Sequence, residues 1–181
     1  HYLLCLSTLE PRKNLRLLLQ SYSTLLQKYQ ETAVHKAVTP LVLAGRKGWL
    51  MDELLSEIEN KYPGKVIVTV FIEDADLPQI YKMADCFVFP SLYEGFGMPP
   101  LEALAVGTPV ISSDAASMPE VLGEHAIYFA NGSEEELTDC LQNCMQEMPE
   151  QAPYTDPRFD WGKSAKKILD CLNRSVSWRA E

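Results

Sequence analysis

The chain has no Gly-x-x-x-x-Gly-Lys-Ser/Thr phosphate loop anywhere in its 181 residues, which argues against an ATPase or kinase. It has no Gly-x-Gly-x-x-Gly turn after its first apolar segment either, and a nicotinamide enzyme is disfavoured accordingly. Positive charge is short: 16 Lys and Arg against 25 Asp and Glu leave a net charge of −9, which makes a surface for nucleic-acid phosphates improbable. No apolar run approaches the roughly 20 residues needed to cross a bilayer, and no signal-peptide pattern precedes His1. The stretch therefore reads as soluble, with the cytoplasm as its expected location and peripheral contact at the inner membrane face left open to a longer protein. Histidine is scarce, and His1, His35 and His125 share no motif, so none is assigned to catalysis. The five cysteines, Cys5, Cys86, Cys140, Cys144 and Cys171, are odd in number and scattered, which fits small apolar side chains in a reducing compartment and not a disulfide framework. Cys140 and Cys144 are four apart on one expected helix face, but no His or further Cys joins them, and ordinary helix packing is the better account than a metal.

What is present is regular alternation. Short apolar runs at Tyr2–Ser7, Leu41–Gly45, Val66–Phe71, Cys86–Pro90, Pro109–Ser112 and Ile127–Ala130 read as strands. Helix-period segments at Asn14–Gln30, Trp49–Asn60, Leu77–Met83, Pro99–Val106 and Ser133–Glu147 separate them. This predicts an α/β fold, a parallel sheet with helices on both faces. Ligands on such sheets bind beyond the carboxyl ends of the strands, and the loops after Ser7, Gly45, Phe71, Pro90 and Ser112 all fall on that edge. The length suits one such domain, and because it opens at His1 and enters a strand at once, we expect a piece of a longer protein. The expected organisation is one unit over 1–148, a proline-rich linker over 149–160 with Pro149, Pro153 and Pro157, and a C-terminal helix over 161–181. A polar connector occupies Glu31–Thr39.

The most informative stretch is Pro90–Val110, PSLYEGFGMPPLEALAVGTPV. An acid and a Gly-Phe-Gly turn follow a strand and precede a proline-initiated helix. Gly95 and Gly97 remove Cβ atoms that would hold a ligand off the backbone, and Pro99 and Pro100 preset the helical φ. Free N–H groups of the following turn, with the positive end of the helix dipole, would face a phosphate. Glu94 then stands before the helix and Glu102 in its first turn. A second group is STLEPRKNL, Ser7–Leu15, where Arg12 and Lys13 stand at a helix start; like charge there opposes the dipole unless an anion is close. The plainer readings are a tight turn with two solvated carboxylates and a solvated basic turn.

PSLYEGFGMPPLEALAVGTPVI resembles the donor-site signature of retaining glycosyltransferases with two Rossmann-like domains, the GT-B fold, and the resemblance runs from the first strand to FDWGKSAKKILDCLN with Phe159 and Trp161. It implies that this chain is the C-terminal, donor-binding domain, with a nucleoside diphosphate sugar as ligand and an N-terminal acceptor domain as its partner in the parent chain, without which the fragment would be inactive. By the same resemblance Glu94 lies beside the donor sugar, Glu102 binds the ribose, and Lys13, helped by Arg12, grips the diphosphate. Gly95, Phe96, Gly97, Met98 and Pro99 lie against diphosphate and sugar, with Ser91 beside them. Thr8 stands with Ser7 where many relatives carry Gly-Arg, so a hydroxyl or backbone contact replaces a second Arg there. Gly45 and Arg46, in AGRKGW, border the nucleotide, and the FIEDADLPQIY loop with Ile72 meets the base; relatives tend to have Gly where Val70 stands, which leaves the base unreadable. The STLEPRKN and EGFGMPPLE pairing leans toward GDP-mannose and surface polysaccharide. No metal is expected: Asp74 and Asp76 form an Asp-x-Asp pair that could hold Mg or Mn, but Asp76 precedes Leu77-Pro78 where a helix N-cap belongs. A binding or regulatory module without transfer activity, and an epimerase or hydrolase of nucleotide sugars, are the alternatives.

Overall fold

The computed structural model describes residues 1–31, 38–69, 71–147 and 151–177. The connector at 32–37 with His35, Val70, the linker's start at 148–150 with Pro149, and residues 178–181 lie outside the described residues. Six strands, β1 Leu3–Leu6, β2 Leu41–Ala44, β3 Val66–Thr69, β4 Cys86–Phe89, β5 Val110–Ser113 and β6 Ala126–Phe129, form one sheet in the order β3-β2-β1-β4-β5-β6. Every pairing is parallel, so all six carboxyl ends share one edge. The helices are α1 Leu15–Glu31, α2 Asp52–Lys61, α3 Leu77–Lys82, α4 Met98–Ala105, α5 Met118–Leu122, α6 Glu134–Gln146 and α7 Trp161–Ser177. This is the Rossmann-like α/β arrangement that the alternation predicts.

The strands read as continuous apolar runs because both faces of the sheet are covered. Leu3, Cys5, Cys86 and Val88 point into one core, shared with Leu18 and Tyr22 of α1, Ile58 of α2 and Leu141 of α6. Leu4, Phe87 and Phe89, one residue out of step, point into the other, with Tyr81 of α3, Leu104 of α4 and Met118 of α5. The same period-2 split sends the loops after β1 and β4 out side by side. Strand order reverses between those two neighbours, and an open α/β sheet leaves its ligand crevice at such a reversal.

Several boundaries differ from expectation. Helix α2 starts at Asp52, where Asp52 and Glu53 in the first turn suit the dipole, so Trp49 and Leu50 stand exposed in the preceding loop, Leu50 at φ 54°. Helix α5 is unanticipated: at 5 residues it is too short to show a period. Asp76 takes the N-cap position of α3, but its side chain makes no capping hydrogen bond; only its carbonyl accepts, from the Gln79 and Ile80 amides. Residues 151–160 pack closely against the domain: the Tyr154 amide donates to the Leu104 carbonyl, its ring stacks on His125, and buried Asp156 holds Arg158 against the Glu120 and Val121 carbonyls of α5. Cys144 is buried in the first core and Cys140 packs against it.

Gly45 is fixed by the sheet itself. The chain leaving β2 presses on the end of β1, and a Cβ at Gly45, with φ 137°, would lie 1.9 Å from the Ser7 carbonyl oxygen. Gly45→Ala is expected to destabilise the chain by more than about 1 kcal/mol in urea unfolding, while Gly132→Ala, at φ 86° with no atom within 4 Å, should cost less. Equal small losses would show that the loop gives way freely.

Candidate functional site

The loops leaving β1 and β4 are tied together at the strand-order reversal. After β1, Pro11–Lys13 form one 3-10 turn closed by Asn14 at φ 53°, and the Leu92 amide of the β4 loop donates to the Arg12 carbonyl at 2.9 Å. The turn points Lys13 inward. Its Nζ sits 2.6 Å from Glu94 Oε1 and 5.3 Å from the centre of the Phe89 ring. Arg12 takes the other carboxylate oxygen, Nη1 to Oε2 at 2.7 Å, and its Nη2 meets Glu10 at 2.7 Å. The side chains of Lys13 and Glu94 are each only 11% exposed, so each charge requires its partner. The anion that the two cations at the helix start call for is thus Glu94, 81 residues along the chain from Lys13.

Two serines fix the loop around this carboxylate. Ser113 Oγ donates to the Ser91 carbonyl at 2.6 Å and Ser117 Oγ to the Glu94 carbonyl at 3.0 Å. Burial alone would raise the Glu94 pKa; the Lys13 and Arg12 hydrogen bonds outweigh it and hold the carboxyl below its ordinary 4.5. The Ser91 hydroxyl, buried nearby, meets no partner at hydrogen-bonding distance among the described residues.

Beyond Glu94 the backbone opens. Gly97, the N-cap of α4, sits at φ 88°, a left-handed backbone that strains any other side chain, with the flexible end of Met118 2.6 Å from where a Cβ would lie. Gly95 differs: a Cβ there would meet nothing within 4 Å, which leaves open approach to the main chain. The second and third residues of α4, Pro99 and Pro100, carry no N–H, so the available donors are the amides that precede them. Among the described residues the amides of Gly95, Phe96, Gly97 and Met98 donate to no protein acceptor. Four N–H groups at the positive end of a helix, beside a Lys and an Arg, are an arrangement suited chemically to an anion. Phe96 meets Phe159 edge to face at 4.7 Å, so the chain ahead of α7 reaches this turn. Glu102, partly buried on α4, accepts the Tyr81 hydroxyl at 2.8 Å.

The other expected residues lie along the same edge without joining the cluster. Arg46 is exposed over the Phe71 ring at 5.4 Å, Thr8 is exposed, and Ile72 packs against the second core. Gly45 has a sheet-packing reason for its identity. Among the described residues no hydrogen bond or ion pair links any of these four to Glu94, and no group of three or more His, Cys, Asp or Glu is placed to hold a metal. Sequence reasoning missed Tyr81, Ser113, Ser117 and the contact of Phe159. Tyr81 reads as a core aromatic, and nothing in SSDAAS separates positioning hydroxyls from turn formers.

An all-parallel sheet with helices on both faces and a strand-order reversal between β1 and β4 defines the class as a Rossmann-like α/β domain. Residues 1–167 match the family of glycosyl transferases group 1, and the chain belongs to it. It is 44% identical over 124 residues to O-antigen chain mannosyltransferase B of Escherichia coli, an overlap of 68% of this chain and 31% of that protein. It is 30% identical over 182 residues to serotype-specific mannosyltransferase WbdA of Escherichia coli, an overlap of 96% of this chain and 22% of WbdA. The chain thus spans under a third of the length of either relative. A crystal structure of HepE from Anabaena in complex with UDP superposes with a TM-score of 0.76 at 22% identity, over 96% of this chain and 48% of that one. The fold is that of the C-terminal half of a GT-B glycosyltransferase.

The ion pairs make stability depend on pH. A carboxyl whose folded pKa lies below its unfolded one stabilises fully above the unfolded value and loses that contribution as pH falls through the folded value. Glu94→Gln should therefore cost about 2–3 kcal/mol at neutral pH, by leaving Lys13 without its counter-charge. The gap from the unsubstituted chain should close as pH falls below the ordinary 4.5 and through the lower folded value. Urea unfolding across that range measures it, and a gap independent of pH would mean that the ion pairs add nothing.

Proposed function

We propose that this chain is the donor-binding half of a retaining glycosyltransferase that moves a hexose from a nucleoside diphosphate sugar to a glycan or lipid-linked acceptor. The observation that carries the reading is the set of unpaired Gly95–Met98 amides beside Lys13 and Arg12 at the reversal between β1 and β4. In this reading the donor diphosphate sits on those amides. Transfer breaks the bond between the sugar's anomeric carbon and the diphosphate, and negative charge builds on the departing oxygen. Lys13 and Arg12 neutralise that charge at no reorganisation cost, because Glu94 already holds them in place. Glu94, kept ionised by the same contacts, orients the sugar and stabilises positive charge at its reacting carbon. The acceptor attacks the face from which the diphosphate leaves, so configuration is retained.

Glu102 binds the ribose, Ile72 and its loop the base, and Ser91, Phe96, Pro99, Thr8, Gly45 and Arg46 complete the donor surface. The mannosyltransferase names of the relatives support a mannosyl donor, and the UDP bound to HepE supports the nucleoside diphosphate class; GDP is our proposal for the nucleotide. We assign donor binding to 1–148, a proline-rich linker to 149–160 and a C-terminal helix to 161–181, with the acceptor on an N-terminal domain of the longer protein. Among the described residues no helix is long and apolar enough to cross a membrane; the proposed setting is the cytoplasm, at or near the inner membrane face. Lys13 and Arg12 supply the charge that a metal supplies to diphosphates elsewhere, so no metal is invoked.

Calorimetry with GDP and UDP, in EDTA throughout, tests the phosphate site. Lys13→Ala should lower affinity for the diphosphate roughly tenfold or more, the scale of a charged hydrogen bond, with little change for the free nucleoside. Equal losses, or binding only when Mg or Mn is restored, would defeat the assignment. In the full-length protein Glu94→Gln should reduce kcat by about 10²-fold or more with a smaller change in donor affinity, because its charge matters most in the transition state. An unchanged kcat would remove Glu94 from the chemistry.

A further inference from the structure

We infer that Tyr81 is a positioning residue for nucleotide recognition: its hydroxyl holds one oxygen of Glu102 so that the other is presented to the ribose hydroxyls of the donor. The inference rests on the reading of Glu102 as the ribose ligand. Tyr81 is 1% exposed on α3, and its hydroxyl donates to Glu102 Oε2 at 2.8 Å. The ring cannot swing away. It packs edge on against Phe87 of β4, 5.3 Å between centres at 71°, and the Tyr81 carbonyl accepts Thr108 Oγ1 at 2.7 Å just before β5. Three elements thus fix the donor, and burial followed by the nearby Glu102 charge keeps the phenol protonated.

The choice of acceptor distinguishes this contact from routine satisfaction of a buried hydroxyl. Tyr2, Tyr22 and Tyr128 also need partners, and each donates to backbone carbonyls. Tyr81 instead reaches a carboxylate, that of the partly buried Glu102 on α4. Such a bond gives the carboxylate a fixed direction. A free glutamate samples many rotamers, and freezing it on binding costs side-chain entropy. The phenol imposes that order before the ligand arrives. Among the described residues no other group hydrogen-bonds Glu102, so Oε1 is left to accept.

Tyr81→Phe removes one oxygen and leaves the ring packing, so it tests the hydroxyl without opening the core. Calorimetry on this chain would use whichever of GDP and UDP binds more tightly and its 2′,3′-dideoxy counterpart. We expect Tyr81→Phe to weaken the ribonucleotide about 3- to 10-fold, to leave the dideoxy compound nearly unchanged, and to have no further effect in a Glu102→Ala background. If Glu102→Ala removes the preference for the ribonucleotide but Tyr81→Phe keeps it, the inference fails and the ribose reading stands. If Glu102→Ala leaves the preference intact, the ribose reading fails and the inference with it. Equal weakening of both nucleotides by Tyr81→Phe, together with a lower unfolding midpoint, would reduce Tyr81 to a packing role and overturn the proposal.

Discussion

The pairing of Glu94 with Lys13 and Arg12 is the contact on which the arrangement of the site depends. It joins two loops that leave adjacent strands but lie far apart in the chain, and it does so where the sheet's ligand crevice opens. A lysine as enclosed as Lys13 is tolerable only with a counter-charge, and Glu94 only with its cations. Each loop therefore holds the other in position. The Leu92–Arg12 backbone bond and the Ser113 and Ser117 hydroxyls fix the same loop from other sides, so the charges are placed before any ligand is present.

The sheet supplies the rigidity behind this. Phe89, at the end of β4, lies beneath Lys13 and stacks on Phe87, which in turn packs against Tyr81. The row of rings thus underlies both acids of the site: Glu94 through Lys13, and Glu102 through the Tyr81 hydroxyl. A change of volume at Phe87 would be felt at both, because close-packed interiors pass strain on. The strap before α7 adds a support from outside, where Phe159 meets Phe96 and Arg158 is anchored on α5.

Two glycines of the turn show how one sequence feature can carry two physical meanings. Gly97 is favoured by a left-handed backbone, which accounts for its identity with no ligand at all. Gly95 answers no such demand. Its missing side chain faces open space beside the unpaired amides, which makes it the stronger pointer to a bound group. Gly45 falls with Gly97, since the Ser7 carbonyl alone accounts for it.

Period and punctuation determined much of this protein before any coordinates. Apolar runs separated by 3.6-period segments compel a parallel sheet with two covered faces, because only that arrangement buries every run. The Gly-Phe-Gly turn between strand and prolines marked where backbone amides stand open, since glycine and proline act through local backbone geometry that the chain carries with it. Contacts between distant residues were not legible. The sequence set Arg12 and Lys13 at a helix start needing an anion but could not say that Glu94 is that anion, nor that the phenol of Tyr81 ends on Glu102. Such pairings depend on which loops the strand order brings together, and strand order is settled by packing of the whole chain, not by any segment of it.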